Sequence, residues 1–213
     1  MNPIDCKVIT DPLTESNCYI LLEQQHCVVI DPNVEAEILA LFQQRLLTPE
    51  LILLTHEHAD HISALTVLRE RYPEAILCVS DACNDGIADR RINMSQRMEV
   101  YLSFRGKAGV TYAPFTCAPA DCTFSGSIDL PWRGHRFHLF PLPGHSPGGT
   151  GILLDDVLFF SGDYLLPDDE VILRFPGGDE KAYLEITKPT LECLPDGLRV
   201  YPGHGKQYIL NRA

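Results

Sequence analysis

The sequence contains no apolar run approaching the ~18 residues of a membrane-spanning helix, so a helical membrane anchor is excluded and no membrane partner is expected. It has no basic segment leading into an apolar one at its start. Met1-Asn2-Pro3-Ile4-Asp5-Cys6-Lys7 therefore does not read as an export signal, and a cytoplasmic location is the expectation. Positive charge is scarce: 17 Lys and Arg stand against 29 Asp and Glu, for a net charge of -12. Such a surface repels a phosphate backbone, which argues against nucleic acid as a general partner. Internal repeats, low-complexity tracts and linkers are also missing. Residues 1–213 are accordingly expected to form a single α/β domain with a substantial core.

Cysteine, by contrast, is plentiful, with eight residues. Without an export signal, a disulfide framework is not the expectation. Cys78/Cys83 and Cys117/Cys122 share a C-x4-C spacing that falls just outside the tight hairpins of structural zinc sites. The cysteines read as reduced thiols that pack as small hydrophobes.

Hydrophobic patterning alternates strands with helices. Cys18–Leu22 and Cys27–Ile30 read as strands joined by the polar turn Glu23-Gln24-Gln25-His26, and Asp31-Pro32-Asn33 ends the second. Residues 34–47 show helical spacing, and Leu51-Ile52-Leu53-Leu54 reads as a strand buried on both faces. A helix over 62–71 and a strand over 75–79 follow. Residues 81–122 have weak periodicity apart from a helix near 95–104, and read as a lid or substrate loop or as a structural crossover. Strands recur at 128–130, 136–140, 151–154, 157–160 and 198–201, with a helix over 180–194.

Several of these strands end in a turn that carries a metal-capable side chain: Thr55-His56-Glu57-His58-Ala59-Asp60-His61, Pro143-Gly144-His145, Ser161-Gly162-Asp163 and Pro202-Gly203-His204. Strand ends of a layered α/β fold converge at one edge, so these residues can meet there. Imidazole and carboxylate suit zinc, iron or manganese, and the set contains no thiolate. Crowded His and Asp side chains would desolvate or repel one another unless an ion held them. His26, His135 and His138 are lone histidines, a kind more often found at the surface or in the core than on a metal, and are left out.

The run H-x-H-x-D-H followed by Gly-His, Gly-Asp and Gly-His resembles the metallo-β-lactamase superfamily over nearly the whole chain. Within it the chain looks most like the glyoxalase II (hydroxyacylglutathione hydrolase) group, on Pro143-Gly144-His145-Ser146-Pro147-Gly148, Phe160-Ser161-Gly162-Asp163 and Arg174-Phe175-Pro176-Gly177-Gly178-Asp179. The resemblance implies a four-layer αββα sandwich holding two divalent metal ions, zinc first and iron or manganese as alternatives. It implies His56, His58 and His145 on one ion, Asp60, His61 and His204 on the other, and Asp163 between them. The implied activity is hydrolysis of a thioester or related small ester by metal-activated water. Asp60 is the implied catalytic residue that orients the water and handles its proton. True β-lactamases lack an Asp at the position of Asp163, so antibiotic hydrolysis is not implied.

Departures from the pattern bear on the substrate, which is expected to be a small molecule. A counterpart of the helical extension that grips glutathione in glyoxalase II is not expected after His204, and Lys206 stands where a Tyr is usual. Arg174 and Lys206 are the candidate contacts for an anionic group. One rival reading is a mononuclear iron persulfide dioxygenase, whose iron the equivalents of His56, His145 and Asp163 would hold. Against it, Pro202-Gly203-His204-Gly205 has the hydrolase form. Another is a nuclease or phosphodiesterase, which the charge disfavours. A third is a non-catalytic binding module.

Overall fold

A computed structural model describes residues 4–211; Met1-Asn2-Pro3 and the last two positions lie outside the described residues. The first half builds one six-stranded sheet: β1 (Asp5–Thr10), β2 (Asn17–Glu23), β3 (His26–Ile30), β4 (Thr48–Leu53), β5 (Ile76–Ser80) and β6 (Cys122–Phe124), in that spatial order. Pairs β1–β2 and β2–β3 are antiparallel, and β3–β4, β4–β5 and β5–β6 are parallel. The parallel pairs need crossovers. These are supplied by α1 (Glu35–Arg45), then α2 (Ala59–Ile62) with α3 (Leu65–Arg71), and then α4 (Asp81–Ile87) with α5 (Met98–Phe104).

The second half builds another six-stranded sheet from β7 (Ile128–Trp132), β8 (His135–Pro141), β9 (Thr150–Leu154), β10 (Leu158–Gly162), β11 (Arg199–Pro202) and β12 (Tyr208–Ile209). A helical stretch, α6 (Glu180–Ala182), a π-turn at Tyr183–Thr187 and α7 (Lys188–Glu192), crosses between β10 and β11. The reading of one helix over 180–194 is thus refined. Pro189 has no N–H to donate to a regular ladder, and the wider turn ends two residues before it, at Thr187.

Alternation along the strands decides the layering. In β2, Tyr19 and Leu21 enter a core shared with Phe137, Leu139, Ile152 and Phe160 of the opposite sheet. Cys18, Ile20 and Leu22 face the other way, against Ile38, Phe42, Leu65 and Leu68 of the helices. On the outer face of the second sheet, Phe159 and Val200 pack against Leu191 of α7. The result is the αββα order expected from the resemblance. The all-apolar strand of 51–54 is indeed buried between layers, with Ile52 and Leu54 on the helix side and Leu53 on the sheet side. Among the described residues no helix is long and apolar enough to cross a membrane.

The helix expected over 62–71 is broken in two. Ala64 donates its N–H to the Pro32 carbonyl (3.0 Å), and Ser63 Oγ donates to the Asn33 carbonyl, so the chain is tied to the loop after β3 before α3 begins. The C-x4-C pairs build no metal hairpin. Cys78 enters the inter-sheet core while Cys83 enters the helix-side core. Five of the eight thiols are buried, as small hydrophobes would be, but Cys193 is exposed.

At the edge remote from the strand C-termini, Glu50 of β4 clasps the two sheets together. It accepts hydrogen bonds from Trp132 Nε1 (2.8 Å), Arg133 Nε (2.7 Å) and Arg133 Nη2 (2.7 Å), and pairs with His26 (2.9 Å). The Arg133 hydrogen bond is the largest influence on its carboxyl, and burial opposes it; the net effect holds the pKa down to about 2. The folded-state pKa is depressed, so the clasp stabilises fully above about 4.5 and is lost as pH falls toward about 2. Glu50→Ala should cost about 1 kcal/mol at neutral pH, given a side chain 33% exposed. Denaturant titrations should show the gap from wild type closing between pH 4.5 and 2, with metal content unchanged.

Candidate metal centre

The C-terminal ends of β3, β4, β10 and β11 deliver the polar side chains to one place. β4 stops at Leu53, and the chain turns through Thr55-His56-Glu57-His58 into α2, which carries Asp60 and His61. Asp163 follows β10, His204 follows β11, and His145 follows β8. His56, His58, Asp60, His61 and His145 are all at most 8% exposed. Every one of the seven expected ligands is in the cluster.

Hydrogen bonds on the far side of the rings decide which nitrogens are offered. His145 Nδ1 donates to the Ile172 carbonyl (2.8 Å), which leaves Nε2 as a lone pair. Asp31 accepts the Thr55 N–H on Oδ1 (2.7 Å) and the Thr55 hydroxyl proton on Oδ2 (2.6 Å). With its proton committed to Asp31, the Thr55 oxygen accepts from His56 Nδ1 (3.0 Å), and Asp31 Oδ2 also accepts from His61 Nδ1 (3.2 Å). His56 therefore presents an unprotonated Nε2, and His61, with Nδ1 held on Asp31, offers Nε2 when its imidazole is neutral. Carboxylate-backed imidazoles of this kind are the usual outer support of metal ligands. Asp31 sits within ligand distance of His56 and His61, but these hydrogen bonds account for it as their support. In the sequence, Asp31 before Pro32 has only the signature of a strand end.

The inward atoms fall into two groups, His56/His58/His145 and Asp60/His61/His204, each with its donor atoms within 4.8 Å of one another. Asp163 belongs to both: Oδ1 lies 3.4 Å from His61 Nε2, and Oδ2 lies 3.5 Å from His145 Nε2 and 3.6 Å from His204 Nε2. His56 Nε2, His61 Nε2 and Asp163 Oδ1 are buried without a hydrogen-bond partner. Orphaned donor atoms aimed at a common centre carry a large desolvation penalty that a cation would offset, so the residues fit divalent metal.

The two groups differ electrostatically. Burial, reinforced by neighbouring imidazoles, holds His56, His58 and His145 below the usual histidine value, with His58 at about 3. They are neutral, the form that ligates metal. For His61 and His204, burial acts the same way but is outweighed by Asp60 and Asp163, which raise both. Burial opposes the Asp60 charge, yet His61 and His204 hold its carboxyl at about 2.

Close packing supports the loops. Glu57 is fully buried and turned to the 145–149 turn, accepting from Ser146 Oγ (3.2 Å) and Gly148 N–H (3.3 Å); burial lifts its carboxyl to about 7. A Cβ at Gly148 would fall 2.3 Å from Glu57 Oε2, and one at Gly203 would fall 2.1 Å from Asp163 Oδ1. Both positions require glycine for close approach.

Beside the donors lies a cavity of about 30 Å³ lined by His58, Asp60, Asp163, Ile172 and Phe175, and by Met94, Met98 and Tyr101 of the weakly periodic segment. That segment is held by structure as well as lining the site: the Asn93 carbonyl accepts the Ala59 N–H at the start of α2 (2.7 Å). Neither Arg174 nor Lys206 lines this cavity. Arg174 is exposed in an adjoining groove, and Lys206 is exposed in the turn after β11. The three omitted histidines are tied to carboxylates elsewhere: His26 to Glu50, His135 to Asp155 (2.6 Å) and His138 to Asp129 (2.7 Å).

This geometry agrees with the comparison against known families, in which the metallo-beta-lactamase superfamily profile matches residues 11–204. The chain belongs to the metallo-beta-lactamase superfamily. As a member it is 32% identical over 197 residues to the probable metallo-hydrolase YqgX of Bacillus subtilis, covering 91% of this chain and 86% of that protein. It is 42% identical over 206 residues to a hydroxyacylglutathione hydrolase of Yersinia enterocolitica. That match covers 92% of this chain and 65% of the enzyme, part of which lies outside it. The fold superposes on the crystal structure of BLEG-1 B3 metallo-beta-lactamase with a TM-score of 0.81 and 28% identity, covering 96% and 94% of the two chains. The coarse assignment for this superfamily member is a metal-dependent hydrolase.

Proposed function

We propose that the chain hydrolyses a thioester or related small ester in the manner of glyoxalase II, using two divalent ions, zinc first and iron or manganese as alternatives. The observation that carries the reading is Asp163, one carboxylate within 3.6 Å of His145 on one side and His204 on the other. Likeness to a hydroxyacylglutathione hydrolase supports the substrate class. Bound ions supply Lewis acidity and lower the pKa of a water from about 15.7 toward about 7.

The residues do the rest. His56, His58 and His145 would hold one ion and Asp60, His61 and His204 the other, with Asp163 within reach of both groups. Asp60 Oδ2, 3.4 Å from His204 Nε2, remains a carboxylate at neutral pH and orients the attacking water by accepting its hydrogen bond. Met94, Met98, Ile172 and Phe175 exclude bulk water from the reacting carbonyl. Arg174 is the proposed contact for an anionic part of the substrate, with Lys206 as the other candidate.

Asp60→Asn should keep the fold and lower turnover by about 10²–10⁴-fold, the usual contribution of a positioned proton-handling group. Steady-state kinetics on the metal-loaded variant check this, and near-normal turnover would remove the role. The reading itself is tested by screening thioesters, lactones, phosphodiesters and β-lactams on protein loaded separately with zinc, iron and manganese. Thioesters should be turned over best. One iron per chain with oxygen uptake on glutathione persulfide would overturn the hydrolase reading.

A further inference from the structure

Against the metal cavity lies a second, larger space of about 450 Å³, an open groove lined by Arg91, Ile92, Arg97, Arg174, Phe175 and Pro176. Phe175 belongs to both spaces. On one side its ring meets His58 and His145 edge-on, with centroids 5.7 and 5.8 Å away, and on the other it walls the groove. The cavity at the donors is far too small for the bulk of a substrate beyond its reacting group, and the groove is the adjoining space that can take the remainder.

The groove has its own electrostatic character. Three guanidiniums line it and no carboxylate does, although the chain as a whole carries -12. Arg91 makes one long contact with Asp89 (3.8 Å), and among the described residues Arg97 and Arg174 make no ion pair in this groove, whose lining has no carboxylate. Two of the three come from the segment that also supplies Met94, Met98 and Tyr101 to the cavity. Guanidiniums are planar, permanently charged donors matched to carboxylate and phosphate oxygens. Clustered at the mouth of a cleft, they concentrate anions there even when the rest of the surface repels them.

We propose that Arg91, Arg97 and Arg174 form an anion-binding groove that takes the acidic end of the substrate, a carboxylate or phosphate remote from the reacting carbonyl, while Phe175 separates that end from the metals. The proposal deepens the hydrolase reading and rests on it for what happens at the reacting end. It assigns the substrate-facing role to Arg91 and Arg97 alongside Arg174, and makes the substrate an anion.

Binding can be measured without turnover. Calorimetric titration of the metal-loaded protein would use three S-methylated probes: S-methylglutathione with carboxylates, S-methyl-4′-phosphopantetheine with a phosphate, and neutral S-methyl-N-acetylcysteamine. At least one anionic probe should bind more tightly than the neutral one, with affinity that falls as salt is raised. R91Q/R97Q, at two exposed positions, should weaken that binding by about tenfold or more, the scale of lost charge-assisted hydrogen bonds. An unchanged melting temperature would show that the fold is intact, and R174Q should act in the same direction. Which anion binds identifies the acidic group. The proposal is overturned if no anionic probe outbinds the neutral one, or if R91Q/R97Q leaves anion affinity unchanged. It is also overturned if the variant weakens neutral and anionic probes alike. If no thioester is hydrolysed but anion binding behaves as expected, the reaction assignment falls and the groove stands.

Discussion

Asp163→Ala should reduce the bound metal from the proposed two ions per chain to at most one and lower hydrolysis by about three orders of magnitude. The size follows from the several kcal/mol that a metal ion contributes to transition-state charge, at 1.36 kcal/mol per decade. Two effects act together. The carboxylate that reaches toward His61, His145 and His204 is lost, so the two donor groups no longer share a ligand. The negative charge that helps raise His61 and His204 is lost as well. Asp163 Oδ1 makes no hydrogen bond to the surrounding frame, so the fold should survive. Asp163→Asn, of equal shape, separates charge from volume and should resemble the alanine variant. Metal analysis after gel filtration, with kcat/KM on the best thioester, decides it. Two tightly held ions with near-normal rates in either variant would refute the bridging role.

The clustered metal-capable residues were legible because they follow a rule that sequence displays: an apolar strand, a turn with glycine, then a metal-capable side chain. His145, Asp163 and His204 all obey it. Asp31 obeys it too, standing directly after the apolar run of β3, but an aspartate before proline has an ordinary reading as a turn residue. What marks it in three dimensions is a left-handed backbone (φ 54°) and hydrogen bonds to Thr55 and His61 about 24 and 30 positions away. Neither leaves a local trace.

The same limit applies to the elements that were missed. β1 is an edge strand whose residues are all exposed or half-buried, so it carries no long apolar run. β6 has only three residues and exists through its pairing with β5. In the 81–122 segment, apolar residues serve the helix-side core through Cys83 and Ile87, a small cluster through Met98 and Leu102, and the metal cavity through Met94 and Tyr101. A stretch divided among three surfaces shows no single period. Arg91 and Arg97 look like ordinary solvated charges until Arg174, more than 70 residues later, is brought beside them.

Asp31→Asn should lose metal without losing the fold, because the amide reverses a chain of proton positions. Asp31 now accepts from the Thr55 N–H, the Thr55 hydroxyl and His61 Nδ1. An asparagine that keeps its oxygen on the Thr55 N–H must direct its amide protons at the Thr55 oxygen and His61 Nδ1. His61 then carries its proton on Nε2, the atom that faces Asp163. The Thr55 hydroxyl, no longer accepted by Asp31, turns its proton toward His56 Nδ1 and places that ring in the wrong tautomer too. Metal affinity should fall about 10–100-fold, the range for lost outer support of a ligand. Asp31→Ala should behave differently. It leaves the Thr55 N–H, the Thr55 hydroxyl and His61 Nδ1 without an acceptor in a buried site. At about 1–3 kcal/mol for each unsatisfied group, part of it relieved by relaxation, about 3–5 kcal/mol of stability should go. Chelator competition on the asparagine variant and denaturant titration of the metal-free alanine variant separate the two effects. If Asp31→Asn holds metal as tightly as wild type, the tautomers of His56 and His61 are not set by this carboxylate.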